Sequence, residues 1–171
     1  MTSLPDAEAL YGELRRQVGA AVAQHPADSV HLVGILSGGA WLAQRLHTDL
    51  GLPGRAGVLN ISLYRDDFDR IGLHHQTQPT DIPFDVEGRH LILVDDVLYT
   101  GRTIRGALNE LFDYGRPASV QLAVLIDRGG RQLPVAASLC ATTFDVPDGR
   151  QIVLRQDESR FVLTLEDAEH A

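Results

Sequence analysis

The sequence predicts an α/β fold: a twisted, mainly parallel sheet flanked by helices, a small β element in its C-terminal part, and one long loop. Three observations lead there. Short apolar runs suited to strands buried on both faces alternate with helical periodicities, and that alternation implies right-handed crossovers and a parallel sheet. The chain has 171 residues, enough for one compact domain, 1–171, and short for two. Its hydrophobic content of 44% is ordinary for a globular protein.

In chain order, Asp6 to about His25 reads as an amphipathic helix, with Leu10, Leu14, Val18 and Val22 at four-residue spacing. Val30–Ile35 (VHLVGI) reads as a buried strand, interrupted by Ser37-Gly38-Gly39. Helical periodicity resumes over Ala40–Leu50, and Gly57–Tyr64 reads as a strand. Arg65–Val86 mixes charges, Gly72, His74, His75, Pro79 and Pro83 without a sustained period, so it reads as a functional lid or a disordered loop. His90–Val94 (HLILV) is the strongest buried strand. A helix over Thr103–Tyr114 follows, stopped by Gly115 and Pro117, and then a strand over Val120–Ile126. The tail is less regular, with a hairpin of Gln151–Leu154 and Phe161–Leu165 across DESR.

Composition narrows the function. The formal net charge is −8, and all 15 basic residues are arginine. Arginine offers a planar, permanently charged fork for phosphate, although a GC-rich coding sequence explains the absence of lysine equally well. The acidic balance disfavours RNA as a partner, since nucleic-acid affinity rests on neutralising phosphates. No apolar run approaches the roughly 18–20 residues that span a bilayer, and the N-terminus lacks the pattern of a signal peptide. The single cysteine, Cys140, forms no internal disulfide and reads as a small core residue, which suits a reducing, cytoplasmic setting. His74-His75 has no further ligand at metal-binding spacing, and Trp41 reads as helix packing. Neither G-x-x-x-x-G-K-[ST] nor G-x-G-x-x-G occurs.

The informative stretch is VDDVLYTGRT, Val94 to Thr103. In an open parallel sheet, ligands sit beyond the carboxyl ends of the strands. Asp95 and Asp96 stand at such an end. Adjacent carboxylates there are costly unless they meet hydroxyls or a cation, and a ribose diol offers two donors at about the right separation. Tyr99-Thr100-Gly101-Arg102-Thr103 leads straight into a helix N-terminus, where backbone N–H groups and threonine hydroxyls bind anions and Gly101 permits close approach. Acids for a diol followed by a phosphate cradle describe a ribose 5-phosphate receptor. The competing explanation is a capped strand–helix turn with Thr100 or Thr103 as N-cap.

This string resembles the phosphoribosyl pyrophosphate (PRPP) motif of type I phosphoribosyltransferases. In detail it is similar to the PyrR-like family of pyrimidine operon regulators and uracil phosphoribosyltransferases. Leu63-Tyr64-Arg65-Asp66-Asp67, Tyr114-Gly115-Arg116-Pro117-Ala118 and Arg131-Gln132-Leu133-Pro134 match the same family, so the likeness runs over about residues 6–166. It implies that Asp95 and Asp96 hold the ribose hydroxyls, and that PRPP lies along Asp95, Asp96, Val97, Leu98, Tyr99, Thr100, Gly101, Arg102 and Thr103, with its 5-phosphate on the last four. Leu36-Ser37-Gly38-Gly39 becomes the pyrophosphate loop, which in this fold often carries a cis non-proline peptide, here at Leu36–Ser37. Arg65, in a lid over about 65–88, would reach pyrophosphate on closure and act with Asp95 and Asp96 in catalysis; a solvated pair with Asp66 or Asp67 is its rival role. A hood over about 127–150 would hold the base through Asp127, Arg128, Arg131 and Leu133.

The implied reaction transfers the phosphoribosyl group of PRPP to uracil, giving UMP and pyrophosphate. Mg²⁺ would arrive with PRPP, with Asp95 and Asp96 as candidate contacts. The alternatives are a UMP- or UTP-sensing RNA-binding attenuation regulator and a purine phosphoribosyltransferase. Tyr99 stands where many purine relatives carry an acid, which favours uracil. Such proteins commonly form dimers or tetramers. The sequence also departs from the family. ILSGGAWL replaces a more basic pyrophosphate loop, Gly130 and Gln132 stand where His and Glu are usual, and Ser138-Leu139-Cys140-Ala141 replaces a segment that usually includes an Asp.

Overall fold

A computed structural model describes residues 3–62 and 78–169. Leu63–Asp67, with Arg65, and His74-His75 lie outside the described residues. Helix α1 spans Ala7–Val22, and its N-cap Asp6 accepts the Ala9 N–H at 2.8 Å, satisfying a donor that the first turn leaves open. Strand β1 (Val30–Ile35), helix α2 (Gly38–Asp49), strand β2 (Gly57–Leu59), strand β3 (His90–Leu98), helix α3 (Arg102–Asp113), strand β4 (Ser119–Asp127) and strand β5 (Leu139–Thr143) follow. A hairpin of β6 (Arg150–Asp157) and β7 (Arg160–Asp167) ends the chain.

The five-stranded sheet has the order β2-β1-β3-β4-β5, and every pair in it is parallel. Alternate side chains feed two cores. Val30, Leu32, Ile92, Val94, Ala123 and Leu125 meet α1, α2 and the hairpin, whereas Val33, Ile35, Leu91, Leu93, Leu122 and Val124 meet Ile104, Ala107 and Leu111 of α3. Helices therefore cover both faces, as the apolar strand runs require.

Three elements differ from the sequence reading. β3 continues four residues beyond Val94, because parallel pairing with β4 carries on through Leu98↔Asp127. β2 stops at Leu59: the Asn60 N–H turns to the Thr80 hydroxyl and its side-chain oxygen accepts the Ser62 N–H, which takes these donors out of the ladder. Leu139–Thr143, read as irregular tail, is the fifth strand of the main sheet. No helix of the described residues is long and apolar enough to cross a membrane.

Candidate functional site

The chain runs from β1 through α2 to β2 on one side, and from β3 through α3 to β4 on the other. Strand order thus reverses between β1 and β3, and a crevice opens beyond their carboxyl ends, where open α/β sheets take their ligands. Gly34 pairs with Val94, which sets the turn after β1 beside Asp95 and Asp96.

The turn after β1 contains a cis Leu36–Ser37 peptide, as expected at that bond. The Leu36 N–H is anchored to the Leu59 carbonyl oxygen at 3.0 Å. Ser37 is the N-cap of α2 and makes no side-chain capping bond. Gly38 and Gly39 are buried, for a steric reason. A Cβ on Gly38 would lie 2.5 Å from Asp96 Oδ2, and one on Gly39 would overlap the Val94 carbonyl oxygen. Glycine brings the α2 N-terminus into contact with the acid pair. Gly34 completes this packing, because a Cβ there would strike the backbone of Gly39 and Ala40. Sequence reasoning did not single out Gly34, although a glycine inside an apolar strand is a known sign of close backbone approach.

Asp95 is 7% exposed and Asp96 is half-buried. The Asp96 N–H donates to Asp95 Oδ1 at 2.9 Å, and the Val97 N–H donates to Asp96 Oδ1 at 2.8 Å. These bonds fix both carboxylates in the C-terminal half of β3. A recess of about 110 Å³ opens beside Asp95, lined by Tyr99, Thr100, Gly101 and Thr103. Leu98 is buried in the α3 core and Val97 packs on the opposite one, so their side chains hold the strand end in place.

Neither threonine caps α3. Gly101 does, at φ 91°, a conformation that costs glycine little and an L side chain more. Gly101 and the first-turn residues Thr103 and Ile104 line the recess, so the helix N-terminus borders it. The Thr100 hydroxyl accepts the Arg102 N–H at 3.2 Å.

The segment after β4 lies over this turn. The Arg128 guanidinium stacks 4.0 Å from the Tyr99 ring centroid, and a Cβ on Gly130 would come within 2.5 Å of that ring. Arg131 binds Asp127 Oδ2 at 2.5 Å and the Tyr99 carbonyl oxygen at 2.7 Å, while Leu133 packs against Gly101. Burial pushes the Asp127 carboxyl up, but the Arg131 hydrogen bond, the Gly129 N–H and the Arg131 charge together hold it below the ordinary value. Asp95, Asp96, the Tyr99–Thr103 turn and Gly38–Gly39 therefore cluster around the end of β3, with Asp127, Arg128 and Arg131 on the β4 side. Gln132, which sequence reasoning marked only as a departure, accepts a 2.9 Å bond from Arg102 Nε.

Comparison with known proteins agrees with this architecture. The family described as "Phosphoribosyl transferase domain" matches residues 3–146. A "Bifunctional protein PyrR" from Ralstonia nicotianae is 53% identical over 165 residues, covering 94% of each chain. Another, from Nitrosococcus oceani, is 49% identical over 149 residues, covering 86% of this chain and 84% of that one. Among solved structures, a hypoxanthine phosphoribosyltransferase from Trypanosoma cruzi superimposes with a TM-score of 0.65 at 21% identity, covering 94% of this chain and 92% of that one, a likeness of fold.

Proposed function

The chain belongs to the PyrR family of phosphoribosyl transferase domains, and we propose that its reaction is transfer of the phosphoribosyl group of PRPP to uracil, giving UMP and pyrophosphate. The observation that carries this reading is the meeting of two helix N-termini and two carboxylates in the C-terminal half of β3 at the β1/β3 switch point. An α2 terminus beside Asp96 suits the pyrophosphate, and the α3 terminus suits the 5-phosphate. Between them, Asp95 and Asp96 accept from the ribose hydroxyls.

Displacement at C1 passes through a transition state with oxocarbenium character, so stabilising the leaving group matters more than a strong nucleophile. The Ser37–Gly39 amides would receive the growing charge on pyrophosphate. A diphosphate lodged beside two carboxylates also needs a cation, and two oxygen donors suit a hard ion that keeps water and phosphate in its shell. Asp95 and Asp96 would hold Mg²⁺ arriving with PRPP, and it would supply further charge neutralisation on the leaving group. Arg65, on the lid outside the described residues, would reach the pyrophosphate and help exclude water. Uracil would lie on the hood side, against Tyr99 and Arg128.

Purified protein with Mg²⁺ and PRPP, offered each common nucleobase in turn, tests this reading. UMP from uracil is expected. Turnover of hypoxanthine or guanine in its place would move the reading to the purine enzymes, and no turnover with any base would remove it.

The word "bifunctional" in the relatives' names favours a second activity, binding of leader RNA under control of UMP or UTP in the same pocket. Opposing it are the net charge of −8 and the ion pairs that engage Arg16, Arg45, Arg55, Arg131, Arg150 and Arg155 with acids. UMP-dependent RNA binding that weakens steeply with salt would establish it, and binding that is undetectable or salt-insensitive would exclude it.

A further inference from the structure

Residues 127–135 leave β4 and cross back over the turn that follows β3, and three consecutive carbonyls of that turn are taken up by this strap. The Arg128 N–H donates to the Leu98 carbonyl oxygen at 3.0 Å. Arg131 Nη1 donates to that of Tyr99 at 2.7 Å. The Gln132 and Leu133 N–H groups both donate to that of Thr100, at 2.9 and 3.1 Å. Arg102 Nε closes the set on Gln132 Oε1 at 2.9 Å. Side chains reinforce it, since a Cβ on Gly101 would meet Val135 at 3.2 Å and Leu133 at 3.4 Å.

A peptide unit is planar, and in the trans form its C=O and N–H point in opposite directions. Fixing the carbonyls of Leu98, Tyr99 and Thr100 toward the strap therefore aims the N–H groups of Tyr99, Thr100 and Gly101 away from it, in a turn that lines the recess. Preorganised donors of this kind bind an anion without first reorganising.

We infer that Arg131 and Gln132 are positioning residues for the 5-phosphate turn, setting PRPP affinity through the backbone they hold rather than through contact with the base. This rests on the ribose 5-phosphate reading above. Arg131 is itself steadied by Asp127, and its charge is directed at a carboxylate and a carbonyl. Gln132 matters as an amide: it accepts from Arg102 without adding negative charge beside an anion site. A carboxylate, from which this chain departs here, would accept the same bond and add negative charge beside the anion site.

The test combines Arg131→Met and Gln132→Glu, the second a change at an exposed position in case the first unsettles the fold. PRPP and ribose 5-phosphate dissociation constants are measured by calorimetry, and the KM for uracil at saturating PRPP by turnover. For Arg131→Met, about a tenfold weaker PRPP affinity is expected, as fits loss of one charge-assisted hydrogen bond. For Gln132→Glu, a several-fold loss that shrinks as salt rises is expected, with Gln132→Met weakening binding independently of salt. Uracil KM should stay within twofold in all three. A shift in uracil KM with PRPP affinity unchanged would overturn the inference and assign both residues to the base. Unchanged constants throughout would overturn it as well. Wild-type protein that binds neither PRPP nor ribose 5-phosphate would instead remove the underlying reading and this inference with it.

Discussion

Glu8 and Asp96 are both half-buried carboxylates on packed elements, and they are used in opposite ways. Glu8 takes a two-pronged bond from Arg45, with both contacts at 2.8 Å, and the Phe161 N–H at 2.7 Å. It ties α1 to α2 and to the hairpin. The Arg45 guanidinium also lies 4.0 Å from the Tyr11 ring centroid, completing a cluster with Phe161. Asp96 accepts from the backbone N–H of its own neighbour and faces a glycine turn. The first carboxylate is committed to the protein; the second is oriented by the backbone with its Oδ2 against Gly38 at the α2 N-terminus. Among the described residues, an arginine from another element commits Glu8 to the fold, whereas Asp96 takes the ligand role proposed above.

The largest expected effect lies on the structural side. Phe161 is 3% exposed and packs on Tyr11 with ring centroids 5.5 Å apart. Phe161→Ala should cost about 3–5 kcal/mol in denaturant unfolding and leave the PRPP affinity of the folded fraction unchanged. A parallel loss of affinity would break the separation. Asp96→Asn should do the reverse. PRPP affinity should fall about 10- to 100-fold, roughly 1.4–2.8 kcal/mol, with unfolding within about 0.5 kcal/mol of wild type. Titration calorimetry and urea unfolding on the same preparation check both halves.

Glu8→Gln should cost about 1–2 kcal/mol of stability and leave ligand affinity alone. The smallest effect is a pH dependence. The Arg45 hydrogen bond, aided by the Phe161 N–H and the Arg45 charge, holds Glu8 below its usual 4.5 despite the opposing effect of burial. A depressed carboxylate stabilises the fold above its unfolded value, and that stabilisation disappears as pH falls through the folded value. Urea midpoints should therefore decline below about pH 4.5, less steeply in Glu8→Gln than in wild type. Equal slopes would show that Glu8 is not a source of the acid sensitivity.

The legible parts of the fold were those with strong local signals. VHLVGI occupies its expected strand residue for residue, HLILV opens β3, and Asp95 and the glycine turn read from the sequence line one recess at that strand's end. β5 escaped because LCATT is short, half-buried over Leu139–Thr142 and exposed at Thr143, without the alternation or apolar run that marks a strand. Its register comes from β4, and its edge is steadied by Gln17, whose amide bonds both the N–H and the carbonyl of Cys140. The strap over the phosphate turn was hidden for a related reason. Bonds such as Arg131 to Tyr99 join residues 32 positions apart, and no periodicity records them. The α3 cap went to Gly101 rather than a threonine because the close approach of Leu133 and Val135 leaves little room for a side chain.

The most direct measurement is a crystal structure of the protein with UMP bound. The phosphate should rest on the Thr100–Thr103 turn, with both ribose hydroxyls within hydrogen-bond distance of Asp95 and Asp96. Nucleotide density elsewhere, for instance in the recess between Gln44, Arg55 and Asp81, with the β1/β3 crevice filled only by water, would contradict the assignment.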